Sequence, residues 1–136
     1  MMLKFTRLNS DWNAEPNSPG LQVEQDNKSL VARFIPNPFL YPEFELVSHI
    51  VLRFEDCERY RTTCLNDHGW YGGQCRFSGL APAWGQFYEV SGDTRDDLDT
   101  TPWITMNGAG SRHFHFYFRD EALEVKALDW SMQTKS

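Results

Sequence analysis

Two histidines, His113 and His115, stand two residues apart in the run Arg-His-Phe-His-Phe-Tyr-Phe from Arg112 to Phe118. Alternate side chains of a β-strand share a face, so this spacing offers two imidazoles to one metal ion. The glycine and glutamate positions that complete the well-known His-x-His barrel sites are missing at matching spacings. Taking Asp120-Glu121 as the turn of the following hairpin sets Lys126 opposite His115, where its ammonium opposes a bound cation. A surface or partner-facing histidine pair is the plainer reading.

Cys57, Cys64, His68 and Cys75 form a Cys-x6-Cys-x3-His-x6-Cys series. The ligand types suit tetrahedral zinc, but the close cysteine knuckle of structural zinc sites is absent. Cys64 with His68 could pair a thiol with a base, yet no orienting motif surrounds them. Asp93, Asp96, Asp97 and Asp99 suggest calcium, which in an EF-hand loop needs glycine at the sixth position and an acid at the twelfth. Counted from Asp93, Leu98 and Ile104 stand there, so the loop reads as a solvated acidic turn. Asn107-Gly108-Ala109-Gly110 precedes a strand pattern rather than a helix, so its glycines make no phosphate cradle.

Two groups then stand as candidates for ligand or partner binding. His68, Trp70 and Tyr71 lie in a loop broken by Gly69, Gly72 and Gly73, where large amphipathic rings can anchor a partner or fold inward as a cap. Tyr117, Glu124 and Lys126 share a strand face with His113 and His115. They can serve a ligand or simply pair across strands.

The elements that must position these residues show a period of two almost throughout. Leu3 and Phe5 alternate first; Asp11 to Gly20 is loop composition. Leu21 and Val23 face Leu30, Ala32 and Phe34 across a turn at Asp26-Asn27 or, one residue on, Asn27-Lys28. The faces survive that shift, so the hairpin is better defined than its register. Three prolines between Pro36 and Pro42 predict a stiff connection. Phe44 to Glu55 alternates at length, and Tyr60, Thr62 and Cys64 read as the strand returning after Asp56. Gln74 to Phe77, Gln86 to Val90 and Trp103 to Met106 read as short strands, with one helical turn expected at Arg95 to Leu98. The Arg112–Trp130 hairpin is expected to pair Phe118 with Leu123, Phe116 with Val125 and Phe114 with Ala127. The final Gln-Thr-Lys-Ser reads as a frayed tail.

Eight to ten short strands in 136 residues predict a single all-β domain over the whole chain, either an antiparallel barrel or a strongly curved sheet or sandwich. Aromatic residues make up 15% of the chain, too many for a disordered segment. A formal charge of −6 argues against nucleic acid as the partner. No apolar run is long enough to span a membrane as a helix, and the start lacks a signal-peptide core. With three cysteines, an odd number, this points to reduced thiols in a cytoplasmic compartment.

The stretches Asp11–Asn17, Asn66–Gln74, Gly85–Asp93 and Arg112–Glu121 resemble a family of small bacterial proteins of unknown function, over most of the chain. The resemblance implies a bacterial, cytoplasmic single domain and brings no activity or site. No catalytic constellation survives and no cofactor is implied. The expected function is a non-catalytic binding or interaction domain, one form being an immunity-type inhibitor of a basic toxin enzyme. A β-barrel for a small apolar ligand and a metal-dependent enzyme built on His113 and His115 are the alternatives.

Overall fold

The computed structural model describes residues 3–64, 67–73, 77–93 and 101–135. The alternating segments become strands β1 (Lys4–Arg7), β2 (Gln22–Asp26), β3 (Ser29–Phe34), β4 (His49–Glu55), β5 (Arg59–Cys64), β6 (Phe87–Ser91), β7 (Ile104–Thr105), β8 (Arg112–Tyr117), β9 (Glu121–Ala127) and β10 (Asp129–Lys135). One short helix, α1, spans Asp67–Tyr71. The described strands form two antiparallel sheets and no closed barrel. The larger runs β1-β6-β8-β9-β5-β7 and the smaller β10-β4-β3-β2.

The sheets pack face to face because each strand turns its apolar alternation toward the other sheet. Leu30, Ala32, Phe34, Ile50, Leu52 and Phe54 of the smaller sheet meet Phe87, Phe114, Phe116, Leu123 and Val125 of the larger. Rings interlock across the gap: Phe34–Phe116 and Phe54–Phe114 lie 5.4 Å apart between centroids, and Phe87–Trp130 5.1 Å. Trp12 closes one end, 6.0 Å from each of Phe34, Phe87 and Phe116.

The other face of the larger sheet is covered as well. Trp70 from α1, with Phe77 and Ala81, packs on Tyr88, Val90, Tyr117 and Ala122. The asparagine-glycine loop expected at 66–73 is therefore partly helical in its described portion, because this apolar third layer gives the turn a surface to sit on.

Several registers differ from those read in the sequence. The first hairpin adopts the Asn27-Lys28 turn, with Asp26 opposite Ser29 and Val23 opposite Ala32. Asn27 takes φ +55°, a left-handed conformation that asparagine tolerates better than most residues. The β8–β9 hairpin turns at Arg119-Asp120, where the Phe118 N–H donates to Glu121 O at 2.8 Å. Phe116 then pairs with Leu123 and Phe114 with Val125, two residues from the expected partners. A slip of two keeps every side chain on its face, so the alternation could not report it.

The alternation from Phe44 starts later than expected. Pro42–Phe44 is a 3-10 turn, and β4 begins only at His49. Tyr60–Cys64 does not return beside β4 either. β4 pairs with β3 and β10, whereas β5 pairs with β9 and β7, so the chain changes sheets at Asp56–Glu58. Asp56 takes φ +51° to make that corner. Gly108 rests on it so closely that a Cβ there would fall 2.3 Å from Cys57 O. Gln133, Thr134 and Lys135 of the expected frayed tail are instead the last residues of β10, which pairs with β4 from Asp129–Glu55 to Lys135–His49. Phe77 lies in a turn; the rest of the strand expected at 74–77 and the helical turn expected at 95–98 fall outside the described residues.

Candidate functional site

Five of the eight candidate residues converge on the outer face of the larger sheet. His113, His115 and Tyr117 alternate outward from β8 while Phe114 and Phe116 point into the core. On β9, Glu124 and Lys126 do the same. The observed register places His115 opposite Glu124 and His113 opposite Lys126. This corrects the expected Lys126–His115 pair, and it puts a carboxylate rather than an ammonium in the middle of the face.

Glu124 is buried and tied to both neighbouring strands. Its Oε1 accepts from Arg61 Nε at 2.9 Å, and its Oε2 pairs with His113 Nε2. Arg61, opposite Glu124 on β5, is buried too, and its Nη1 donates to Thr101 O at 3.0 Å. The Arg61 guanidinium carbon lies 3.9 Å from the centroid of the Trp103 ring. Arg59 lies 4.5 Å and Lys126 Nζ 5.5 Å from the same ring, so one indole faces three cations. Sequence alternation missed Arg61, since arginine is rarely buried without a partner. The available signal was Arg59-Tyr60-Arg61 itself, two cations on the face opposite Tyr60.

Beyond His113 the sheet opens into a cavity of about 280 Å³ lined by Glu89, Ser91, Asp93, Arg112, His113 and Lys126, among others. Glu89 holds Arg112 in a two-pronged ion pair, with contacts of 2.9 and 2.7 Å. These hydrogen bonds push the Arg112 pKa above its ordinary value. Asp93 comes round to the site after Gly92, whose φ is +76°. One ligand-type atom each from Asp93, His113 and Glu124 lies within 4.8 Å of the others.

His115 and Tyr117 belong to a different neighbourhood on the same strand. The His115 ring packs edge-on to Tyr117 at 4.4 Å and to Phe77 at 5.0 Å. Tyr117 lies 4.9 Å from Trp84. With Leu40, Ala14 and Phe118 it lines a second cavity, of about 230 Å³. Tyr88, nearby, exchanges hydrogen bonds of 3.0 Å with the Ala83 backbone, and burial raises its hydroxyl pKa.

The helix candidates divide. Trp70 is buried in the third layer, whereas His68 and Tyr71 are exposed. Of the cysteine series, Cys57 sits in the core between the sheets and Cys64 ends β5, exposed. Five strand residues of β5, at about 3.3 Å each, and Glu58 lie between them, far more than shared zinc ligation allows. Cys75, Asp96, Asp97 and Asp99 lie outside the described residues.

A two-sheet antiparallel β-domain with a helical third layer is the class that this architecture defines. No protein-family model, curated protein or solved structure matches the chain.

Proposed function

We propose that this protein is a non-catalytic interaction domain that docks on a basic protein partner, as an immunity-type inhibitor docks on its toxin. The observation that carries this reading is the loop after β3. Phe39, Leu40 and Leu46 are 75, 70 and 89% exposed, large apolar side chains with no share in the core.

The loop is built to hold them out. Asn37 is buried, and its Oδ1 accepts from the N–H groups of Phe39 and Leu40 at 2.9 and 3.3 Å. Pro36, Pro38 and Pro42 stiffen the segment, so little ordering entropy is lost when a partner is met. Glu43 and Glu45, both exposed, flank the apolar group, giving it the acidic rim that a basic partner would match. Leu40 also borders the cavity shared with Trp84 and Tyr117. At about 230 Å³ it is small for a drug-sized ligand but suits one inserted side chain. The small-ligand barrel has less support, since Phe34, Phe87, Phe114 and Phe116 fill the space between the sheets.

The test is affinity purification from the native host with wild-type and Phe39→Ser/Leu40→Ser bait. The wild type is expected to retain a stoichiometric basic protein that elutes as salt is raised. The double variant should lose it with an unchanged melting temperature. A clean monomer after gentle lysis, or equal retention by the variant, would defeat the proposal.

A further inference from the structure

We propose that Asp93, His113 and Glu124 form a binding site for a single divalent transition-metal ion, such as Zn²⁺, Mn²⁺ or Co²⁺. This site lies on the outer face of the larger sheet and is independent of the docking loop.

The three side chains converge to within a small adjustment of ligation spacing. Ion-to-ligand bonds of about 2.0–2.2 Å to nitrogen and oxygen put neighbouring ligand atoms about 3–3.5 Å apart. His113 Nε2 and Glu124 Oε2 share a hydrogen bond, which an ion seated between them would replace as the proton leaves, and one ligand-type atom each of Asp93, His113 and Glu124 lies within 4.8 Å of the others. Two of the ligands come from adjacent, fully paired strands, so their spacing is fixed by the β8–β9 ladder. Asp93 supplies the third ligand, from two residues beyond the end of β6.

The outer partners match as well. Arg61 donates to Glu124 Oε1 at 2.9 Å, which turns Oε2 toward His113. A hydrogen-bonded ligating carboxylate of this kind is the usual second layer of a metal site. Two carboxylates balance the charge of a divalent ion, and the Arg61 charge is spread over the Trp103 face. One imidazole with two carboxylates is an N/O set that suits borderline and hard first-row ions rather than copper(I). The cavity of about 280 Å³ reaches Asp93 and His113 from solvent, leaving the remaining coordination positions open to water or a ligand. The pair differs from the His-x-His reading, because His115 packs among Phe77 and Tyr117 instead.

Titration of the full chain with Co²⁺ alone tests this. One equivalent is expected to bind with visible d–d absorption and a rise in melting temperature. Asp93→Asn and His113→Ala should each weaken binding by at least about 10-fold. Lys135→Ala, exposed on β10 of the other sheet, should leave it unchanged. Asp93 is on a half-exposed loop, so its variant keeps the test valid if His113→Ala fails to fold. No bound cobalt, binding indifferent to Asp93→Asn, or a thiolate charge-transfer band placing the ion on Cys64 would each overturn the proposal.

Discussion

Arg61, Glu124 and His113 show what a single residue position can demand of its neighbours. Removing a buried ion pair from water costs several kcal/mol per charge, so such groups persist only where each is held by others. Here Glu124 is shared between a guanidinium and an imidazole, and Arg61 has a carbonyl and an indole besides. The cysteines give the opposite case. Cys57 sits in the core, and burial pushes its thiol up to about 11. Its folded pKa lies above the unfolded one, so its stabilising contribution is whole below the ordinary thiol range and falls away as pH rises toward 11. Cys64 is exposed. Iodoacetamide on the native protein is therefore expected to label Cys64 and spare Cys57 until denaturant is added. Peptide mapping that finds both labelled at one rate would show the Cys57 environment to be open.

Among the elements, the two hairpins depend on their turns in different ways. Asn27 at φ +55° carries the β2–β3 turn, a conformation costing an ordinary residue about 1–2 kcal/mol. Asn27→Ala is expected to lower unfolding stability by about 1 kcal/mol and Asn27→Gly to leave it nearly unchanged, read from urea midpoints. Equal losses from both variants would mean that the asparagine side chain, not its backbone angle, holds the turn. The β8–β9 turn at Arg119-Asp120 has no residue in the left-handed region, and its register follows instead from packing. Phe114 and Phe116 on one strand and Leu123 and Val125 on the other meet the smaller sheet as a block. That choice also brings Glu124 between His115 and Arg61, so the candidate site inherits its geometry from core packing one layer away.

For the whole molecule, the larger sheet is the common wall of two apolar layers, and Phe87 stands at the centre of the inner one. Its ring meets Trp12, Phe54, Phe114, Phe116 and Trp130, from both sheets and the closing loop. Phe87→Ala is expected to cost about 3–5 kcal/mol, because a ring-sized cavity between two sheets cannot collapse fully. A single cooperative transition shifted to lower denaturant checks it. A second, separate transition would show instead that the sheets unfold independently. The net charge of −6 acts at this same scale, favouring encounter with a basic partner without specifying where it docks.

Alternation alone pointed to antiparallel β and to an interior of Phe5, Phe34, Phe44, Phe54, Phe114, Phe116 and Phe118, of which Phe5 and Phe44 are only partly buried. It also brought His113, His115, Tyr117, Glu124 and Lys126 to one side of a hairpin, because a period of two is a local property of the strand. Tertiary structure decided the rest. Registers two residues apart present identical faces, so only packing could choose which carboxylate meets which imidazole. The chain's change of sheet at Asp56, the pairing of β10 with β4 and the arrival of Asp93 beside His113 join residues distant in sequence. Loop rings such as Trp70 and Tyr71 have the same composition whether buried or exposed. The third layer separated them, taking the indole inward and leaving the phenol in water.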